Sequence, residues 1–170
     1  MKNIILIGYM GSGKTTVGKK LEEISGMPFV DTDELIEKKY GLSISEIFEK
    51  FGEEDFREKE ETTFKELMEK ESGLVIATGG GLPIFIRDKS LLQKGFTVYL
   101  EADIETITSR LENDFTRPLL SNGDKAKKIA EMLAVRGPIY KKFAHTVLNA
   151  GTSCENIAKT ILLAYKNLEI

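Results

Sequence analysis

The sequence predicts a three-layer α/β/α protein, with a parallel sheet between two layers of helices. Short apolar runs alternate along the chain with longer amphipathic stretches. This alternation is typical of right-handed βαβ units, in which each helix crosses one face of the sheet. The first apolar run leads into a glycine-rich loop and then into a helical pattern, which is the local order of a phosphate-binding strand–loop–helix unit.

The candidate elements follow this order along the chain. Five runs are candidate strands, at residues 3–8, 28–31, 74–78, 97–101 and 146–148. Helical patterns follow the glycine-rich loop and then cover residues 33–40, 45–51, 53–71, 104–113, 124–143 and 155–168. Gly137-Pro138 predicts a break in the fifth of these ranges, and the spacing of Thr152 and Glu155 is that of a capping box for the last helix.

The chain predicts a single domain over residues 1–170, because no repeat or low-complexity linker divides it. Two segments are longer or less regular than a simple crossover requires. They are a helical insertion, whose substrate-binding part we expect at about 33–60, and a stretch at about 114–124 that contains Pro118 and Gly123. Substrate-binding parts and lids occupy such positions in α/β enzymes.

Composition limits the classes of partner and compartment. The net charge is −3 and the pI is about 5.4, which gives no support for nucleic-acid binding. Cys154 is the single cysteine, so no intramolecular disulfide can form. The N-terminal apolar run is too short to span a bilayer, and no signal-peptide layout is present. We therefore expect a cytoplasmic monomer with no membrane partner, in which Cys154 is a buried or inert thiol.

Residues 8–15 match the phosphate-binding pattern G-x-x-x-x-G-K-[ST] completely. Glycines allow the backbone to curl around phosphates and to point its N–H groups inward. Lys14 is expected to reach the β- and γ-phosphates, and the hydroxyl of Thr15 to bind Mg²⁺. The sequence therefore predicts a site for ATP and Mg²⁺. The predicted nucleotide-binding residues in this loop are Gly11, Ser12, Gly13, Lys14, Thr15 and Thr16.

Two carboxylates follow the second candidate strand. Asp31 and Asp33 lie where that strand ends, and ligands of parallel α/β sheets bind beyond the carboxyl ends of strands. Residues two apart on an extended segment point the same way, so both carboxylates are expected to face the phosphate loop. The alternative is that Asp33 caps the following helix.

Arginines and a glycine triplet are the other candidate site residues. Five of the 24 basic residues are arginines, and arginine suits planar recognition of carboxylate or phosphate better than lysine does. Glu60 lies one helical turn after Arg57 and is expected to orient it. The triplet Gly79-Gly80-Gly81 follows the third candidate strand, where it would allow a close approach of the backbone to a ligand.

Together these motifs resemble the shikimate kinase family over residues 4–161. The resemblance rests on motifs that occur in the family's order: the phosphate loop, Asp31-Thr32-Asp33, Ile47-Phe48 with Gly52-Glu53, Phe56-Arg57-x-x-Glu60, the glycine triplet, Arg117-Pro118-Leu119-Leu120 and Arg136-x-x-x-Tyr140. It implies transfer of the γ-phosphoryl group of ATP to the 3-hydroxyl of shikimate. It also implies a five-stranded parallel sheet in the order 2-3-1-4-5.

The resemblance also assigns roles to residues of this chain. Lys14, Asp33 and Arg117 are the catalytic candidates, with Arg117 closing over the phosphates on the lid. Arg110 packs on the adenine side, and Asp31 joins Thr15 in supporting Mg²⁺. The residues that would hold shikimate are Asp33, Arg57, Gly79, Gly80, Gly81 and Arg136.

Two other functions remain open on the sequence. One is a kinase for another small hydroxylated acid such as gluconate, because two arginines fit either carboxylate. The other is a catalytically silent nucleotide-binding module, against which the complete set of catalytic residue types argues.

Overall fold

A parallel sheet forms the middle layer of the protein. The computed structural model describes residues 1–111 and 124–168. Within them the strands are β1 (Ile4–Ile7), β2 (Phe29–Asp31), β3 (Val75–Ala77), β4 (Phe96–Glu101) and β5 (Thr146–Asn149). They pair in parallel in the order β2-β3-β1-β4-β5. This confirms the predicted α/β sheet and the strand order that the resemblance implied.

The central strand, β1, lies in the middle of the hydrophobic core. Ile4 pairs with Val75 of β3 on one side and with Phe96 of β4 on the other. All four β1 side chains are fully buried. Helices cover both faces of a parallel sheet, so its inner strands read as continuous apolar runs rather than as alternating ones.

Helices account for most of the remaining described residues. They are α1 (Lys14–Ser25), α2 (Thr32–Tyr40), α3 (Ile44–Lys70), α4 (Leu82–Phe85), α5 (Ile104–Leu111), α6 (Lys125–Phe143) and α7 (Cys154–Lys166), with a 3₁₀ helix at Lys89–Gln93. Gly52 interrupts α3 with φ 83° and ψ 175°, so the predicted division into two helical segments is confirmed. The sequence did not predict α4 or the 3₁₀ helix, because four or five residues are too few to show a helical period.

Two local predictions were wrong. Helix α6 continues through Pro138 instead of breaking there. Tyr140 and Phe143 are buried beyond the proline, and burying two aromatic side chains outweighs the ~3 kcal/mol cost of proline inside a helix. The cap of α7 is Ser153 rather than Thr152, since the Ser153 hydroxyl accepts the N–H of Asn156 at 3.3 Å.

The segment predicted as a substrate-binding insertion forms α2 and the first part of α3. These two helices pack on each other through a small core of Ile36, Ile47 and Phe56. This core is separate from the main core, which includes the strands of the sheet. Of the lid predicted at about 114–124, the structure describes Asp124 alone, as the cap of α6. No helix in the described part of the chain has the length and apolar character needed to cross a membrane.

Candidate active site

The phosphate loop lies between the central strand and α1. Gly13 caps α1 with φ 91°, a left-handed conformation that favours glycine. Because α1 begins at Lys14, its unpaired N–H groups and its positive dipole end face the loop. Lys14 Nζ donates hydrogen bonds to the carbonyl oxygens of Gly8 at 2.8 Å and Tyr9 at 2.9 Å, which hold the ammonium group over the loop.

Asp31 links the phosphate loop to α2. The Thr15 hydroxyl donates to Asp31 Oδ2 at 2.9 Å, and Asp31 Oδ1 accepts the N–H of Asp33 at 3.0 Å as the cap of α2. The capping role considered for Asp33 therefore belongs to Asp31. Asp33 lies inside α2, so the argument that both carboxylates share one side of an extended segment was wrong, although both line the same cleft.

The oxygens of Thr15 and Asp31 fit a magnesium ion bound together with phosphates. Mg²⁺ in such sites uses one or two protein oxygens and takes its other ligands from phosphate and water. In the part of the chain that the structure describes, no group of three or more His, Cys, Asp or Glu could hold a metal ion without such help. A hydroxyl beside a carboxylate at the phosphate loop is the donor set that this arrangement requires.

A cleft of about 420 Å³ runs along the phosphate loop. Arg110 spans it, donating from Nη1 to the Gly11 carbonyl at 3.0 Å and from Nη2 to the Ala150 carbonyl at 3.1 Å. Cys154 is half-buried and lines the cleft, which sequence reasoning missed because a lone cysteine carries no pattern. The predicted residues that line it are Gly11, Ser12, Gly13, Lys14, Thr15, Thr16, Asp31, Asp33, Gly79, Gly80 and Arg110.

A second, smaller pocket of about 110 Å³, here called the acceptor pocket, adjoins the cleft. It contains all the residues predicted to hold the acceptor: Asp33, Arg57, Gly79, Gly80, Gly81 and Arg136. Phe48, Phe56 and Glu60 complete the motif-derived part of its wall. Sequence reasoning missed Met10 and Ile44, which also line it, because an apolar side chain in a site has the same pattern as one in the core.

An ion pair with a buried carboxylate orients Arg57. Arg57 Nη1 lies 2.8 Å from Glu60 Oε2, and Nη2 lies 3.2 Å from Glu53 Oε1. Glu60 is 1% exposed, and this burial raises its pKa to about 7 although the guanidinium of Arg57 opposes the rise. Glu60 Oε1 and Arg57 Nε are buried without a hydrogen-bond partner among the described residues.

Close packing favours glycine at the first and third positions of the triplet, Gly79 and Gly81. A Cβ on Gly79 would collide with Glu60 Oε1 and lie 2.9 Å from Asp33 Oδ1, and one on Gly81 would lie 2.7 Å from Arg57 Cζ. Any side chain at these positions would therefore displace the charged groups of the pocket. The Tyr140 hydroxyl donates to the Gly80 carbonyl at 2.6 Å and fixes the middle of the triplet.

The cleft and the acceptor pocket share one wall. Met10, Asp33, Gly79 and Gly80 line both cavities. A phosphoryl group at the end of the cleft and a hydroxyl group in the acceptor pocket would therefore meet beside the Asp33 carboxylate. Arg117, predicted to close over the phosphates, lies outside the described residues, and its role stays a prediction.

Comparison with known proteins identifies the family. A family model described as shikimate kinase matches residues 10–166. The chain belongs to the shikimate kinase family. It is therefore an ATP-dependent kinase, a transferase. A shikimate kinase of Clostridium botulinum (strain 657 / Type Ba4) is 47% identical over 169 residues, which cover 98% of this chain and 97% of that protein.

Other family members agree in sequence and structure. The shikimate kinase of Thermodesulfovibrio yellowstonii is 43% identical over 99% of this chain and 97% of its own length. A shikimate kinase from Acinetobacter baumannii, solved in complex with shikimate, superposes with a TM-score of 0.92 at 39% identity, covering 98% of this chain and 94% of that one. A gluconokinase from Sinorhizobium meliloti has a TM-score of 0.58 at 16% identity, which shows a shared fold alone.

Proposed function

We propose that this family member transfers the γ-phosphoryl group of ATP to the 3-hydroxyl of shikimate, giving shikimate 3-phosphate and ADP on the route to chorismate and the aromatic amino acids. The observation that carries the proposal is the wall common to the two cavities, with Asp33 at their junction. A related enzyme of 39% identity has been solved with shikimate bound.

The acceptor pocket fits a ring that carries one carboxylate and several hydroxyl groups. Arg57 and Arg136 supply the two cations for the carboxylate, and both line the pocket. Phe48 and Phe56 provide an apolar surface for the ring, and their own centroids lie 4.7 Å apart. The backbone of the glycine triplet and the carboxylate of Asp33 would form hydrogen bonds with the hydroxyl groups of the ring.

The cleft fits the triphosphate of ATP. Lys14 and the N–H groups at the start of α1 would bind the β- and γ-phosphates. Thr15 and Asp31 would hold Mg²⁺, which supplies charge neutralisation when bound. Arg110 would lie on the adenine side. The lid residue Arg117, in the same proposal, neutralises charge on the transferring group.

Transfer in this site depends on positioning. The 3-hydroxyl oxygen forms a bond to the γ-phosphorus while the bond from that phosphorus to the β–γ bridging oxygen breaks, and ADP leaves. Asp33 accepts a hydrogen bond from the hydroxyl and aims the oxygen along the line of attack. The proton leaves to the Asp33 carboxylate or to water, two routes that a loose transition state allows.

One assay tests the function. Purified protein with Mg-ATP is given shikimate, gluconate or a nucleoside monophosphate, and ADP release is followed while ³¹P NMR identifies the product. We expect rapid ADP release and a new phosphate monoester with shikimate. A Lys14→Ala protein purified in the same way controls for contaminating kinases. Turnover with gluconate alone would support the gluconate alternative, and no turnover with any acceptor would support the silent module.

We also propose a cytoplasmic monomer. Both cavities are lined by residues of a single chain, so no second copy is needed to complete the site. The single cysteine supports a reducing compartment, and the net charge of −3 supports a small-molecule partner rather than nucleic acid.

A further inference from the structure

Phe85 is a large aromatic side chain that stays 43% exposed beside the acceptor pocket. It is the last residue of α4, four positions after the glycine triplet. The centroid of its ring lies 4.3 Å from Cζ of Arg57 and 6.0 Å from Cζ of Arg136. The ring therefore stands next to both guanidinium groups that are proposed to bind the acceptor carboxylate.

Phe85 lies on the outer side of Arg57. Arg57 lines both the acceptor pocket and a surface groove, whereas Phe85 lines the groove and not the pocket. Phe56 lines the pocket, and its ring centroid lies 5.0 Å from Cζ of Arg57. The ring of Phe85 on the groove side and the ring of Phe56 on the pocket side therefore both lie within contact range of the Arg57 guanidinium group.

The position of Phe85 is fixed by contacts from two directions. Lys89 Nζ donates to the carbonyl oxygens of Pro83 at 3.0 Å and Ile84 at 2.8 Å, which ties the end of α4 together. Glu61 of α3 accepts the backbone N–H groups of Arg87 and Asp88, each at 3.2 Å. The turn after Phe85 is therefore anchored to the helix that carries Arg57.

Two kinds of contact restrain the guanidinium of Arg57. Glu60 and Glu53 accept hydrogen bonds from its terminal nitrogens, at 2.8 and 3.2 Å. Glu53 is largely exposed, so its contact is screened by solvent. A cation close to an aromatic ring is attracted by the quadrupole of the ring. Phe85 and Glu53 both line the outer groove, so the ring adds a restraint on Arg57 where the ion pair is screened by solvent.

We propose that Phe85 is a positioning residue that holds Arg57 in the orientation that binds the carboxylate of the acceptor. The inference rests on the proposed function, in which Arg57 contacts that carboxylate. Its effect falls on binding of the acceptor, because Phe85 itself touches neither the pocket nor the nucleotide cleft. An aromatic residue four positions after the glycine triplet then contributes to affinity without contacting the ligand.

The test compares Phe85→Leu with Phe85→Tyr. Leucine keeps an apolar side chain and removes the ring, whereas tyrosine keeps the ring at a position that is 43% exposed. We expect Phe85→Leu to raise the KM for shikimate about three- to tenfold, the range of a partly desolvated cation–π contact. The kcat and the KM for ATP should stay within about twofold, and Phe85→Tyr should match the wild type.

A double-mutant cycle shows whether the effect passes through Arg57. In an Arg57→Ala background, Phe85→Leu should no longer change kcat/KM for shikimate, because the group that it positions is gone. Phe51→Leu is the matched control, since Phe51 is 55% exposed and its ring lies 5.4 Å from Lys59 outside the pocket. We expect wild-type kinetics from it.

The outcomes separate this inference from the proposed function. A wild-type KM for shikimate in Phe85→Leu would overturn the positioning role, as would an equal rise in Phe85→Leu and Phe85→Tyr. Failure of the wild-type protein to phosphorylate shikimate would instead overturn the proposed function. Phe85→Met, which also lacks a ring, serves for the same measurement if the leucine variant does not fold.

Discussion

The nucleotide cleft and the acceptor pocket are built in opposite ways. The phosphate-binding part of the cleft is formed by one run of consecutive residues, 10–17, and by backbone groups at the start of α1. The acceptor pocket brings together side chains from Met10 to Arg136, on α2, α3, the loop after β3 and α6. One half of the site is therefore local in sequence, and the other half exists through tertiary packing.

The two halves also differ in how their charges are neutralised. The cleft presents N–H groups and a lysine to an anion, and its charge is neutralised when the ligand binds. The acceptor pocket contains Glu60 almost fully buried against Arg57, so each of these charges depends on the other in the folded protein. We expect substitutions in the cleft to affect the transfer step, and substitutions in the pocket to affect acceptor binding and stability together.

The strongest test of the local half is Lys14→Ala. Removing the ammonium group that the loop carbonyls hold over the phosphates should lower kcat by about 10³-fold or more, because it stabilises charge on the transferring group. Steady-state kinetics measure the loss, and circular dichroism checks that the fold is retained. The control is Lys19→Ala on the exposed face of α1. A kcat near that of the wild type would remove Lys14 from the mechanism.

Asp33→Asn tests the junction where the two halves meet. We expect kcat to fall about 100-fold while the KM for ATP changes little, because the amide cannot accept the proton and orients the hydroxyl less well. Glu34→Gln, an exposed neighbour on the same helix, should behave as the wild type. If Asp33→Asn changed the KM values and left kcat intact, Asp33 would belong to acceptor binding alone.

Arg57→Ala tests the half that tertiary packing assembles. The KM for shikimate should rise about 10- to 100-fold, the value of a charge-assisted contact to a carboxylate, with the KM for ATP within about twofold. Arg87→Ala is the matched control, because Arg87 is exposed on the outer groove. An unchanged KM for shikimate would show that the carboxylate lies elsewhere.

The last test concerns the pH dependence of stability. Burial raises the pKa of Glu60 to about 7 in the folded protein, so between its unfolded pKa and pH 7 the folded state binds more protons at Glu60 than the unfolded state does. Glu60 therefore favours folding fully at low pH and loses this contribution as the pH rises through 7. Relative to Glu60→Gln, the free energy of unfolding of the wild type should fall by about 2.5 kcal/mol from pH 5 to pH 8.

Urea unfolding of both proteins at each pH measures this difference. Glu58→Gln, at an exposed position of the same helix, should keep the wild-type dependence on pH. Parallel pH profiles for the wild type and Glu60→Gln would show that Glu60 ionises in the folded protein as freely as it does in the unfolded chain.

Prediction from the sequence succeeded where a local pattern carries the physics. The five strands and the phosphate loop were found because each has its signal within a few adjacent residues, and the strand order was correct because the family resemblance implied it. Prediction was wrong where packing competes with a local preference. Pro138 lies inside α6 because Tyr140 and Phe143 beyond it are buried, and Asp31 and Asp33 do not share an extended segment because α2 begins at Thr32.

The acceptor pocket shows why the remaining residues could not be predicted. Met10 and Ile44 carry no chemical signal, and their place in a site follows from the geometry of the loop and of α3. Phe85 lies on a four-residue helix that no periodicity predicts. The sequence suggested Glu60 as a partner of Arg57 through helical spacing, but its burial and its raised pKa depend on the packing of Gly79 against it.

The sequence by itself determined the fold class, the phosphate loop and the family, since these depend on residue types at fixed short spacings. The tertiary structure alone decided that a cleft and a pocket share a wall at Asp33, and that Arg57 lies between Glu60 and the ring of Phe85. The physical reason is that burial and contact between distant residues are properties of the packed chain, and packing sets both the pKa of a carboxylate and the orientation of a guanidinium group.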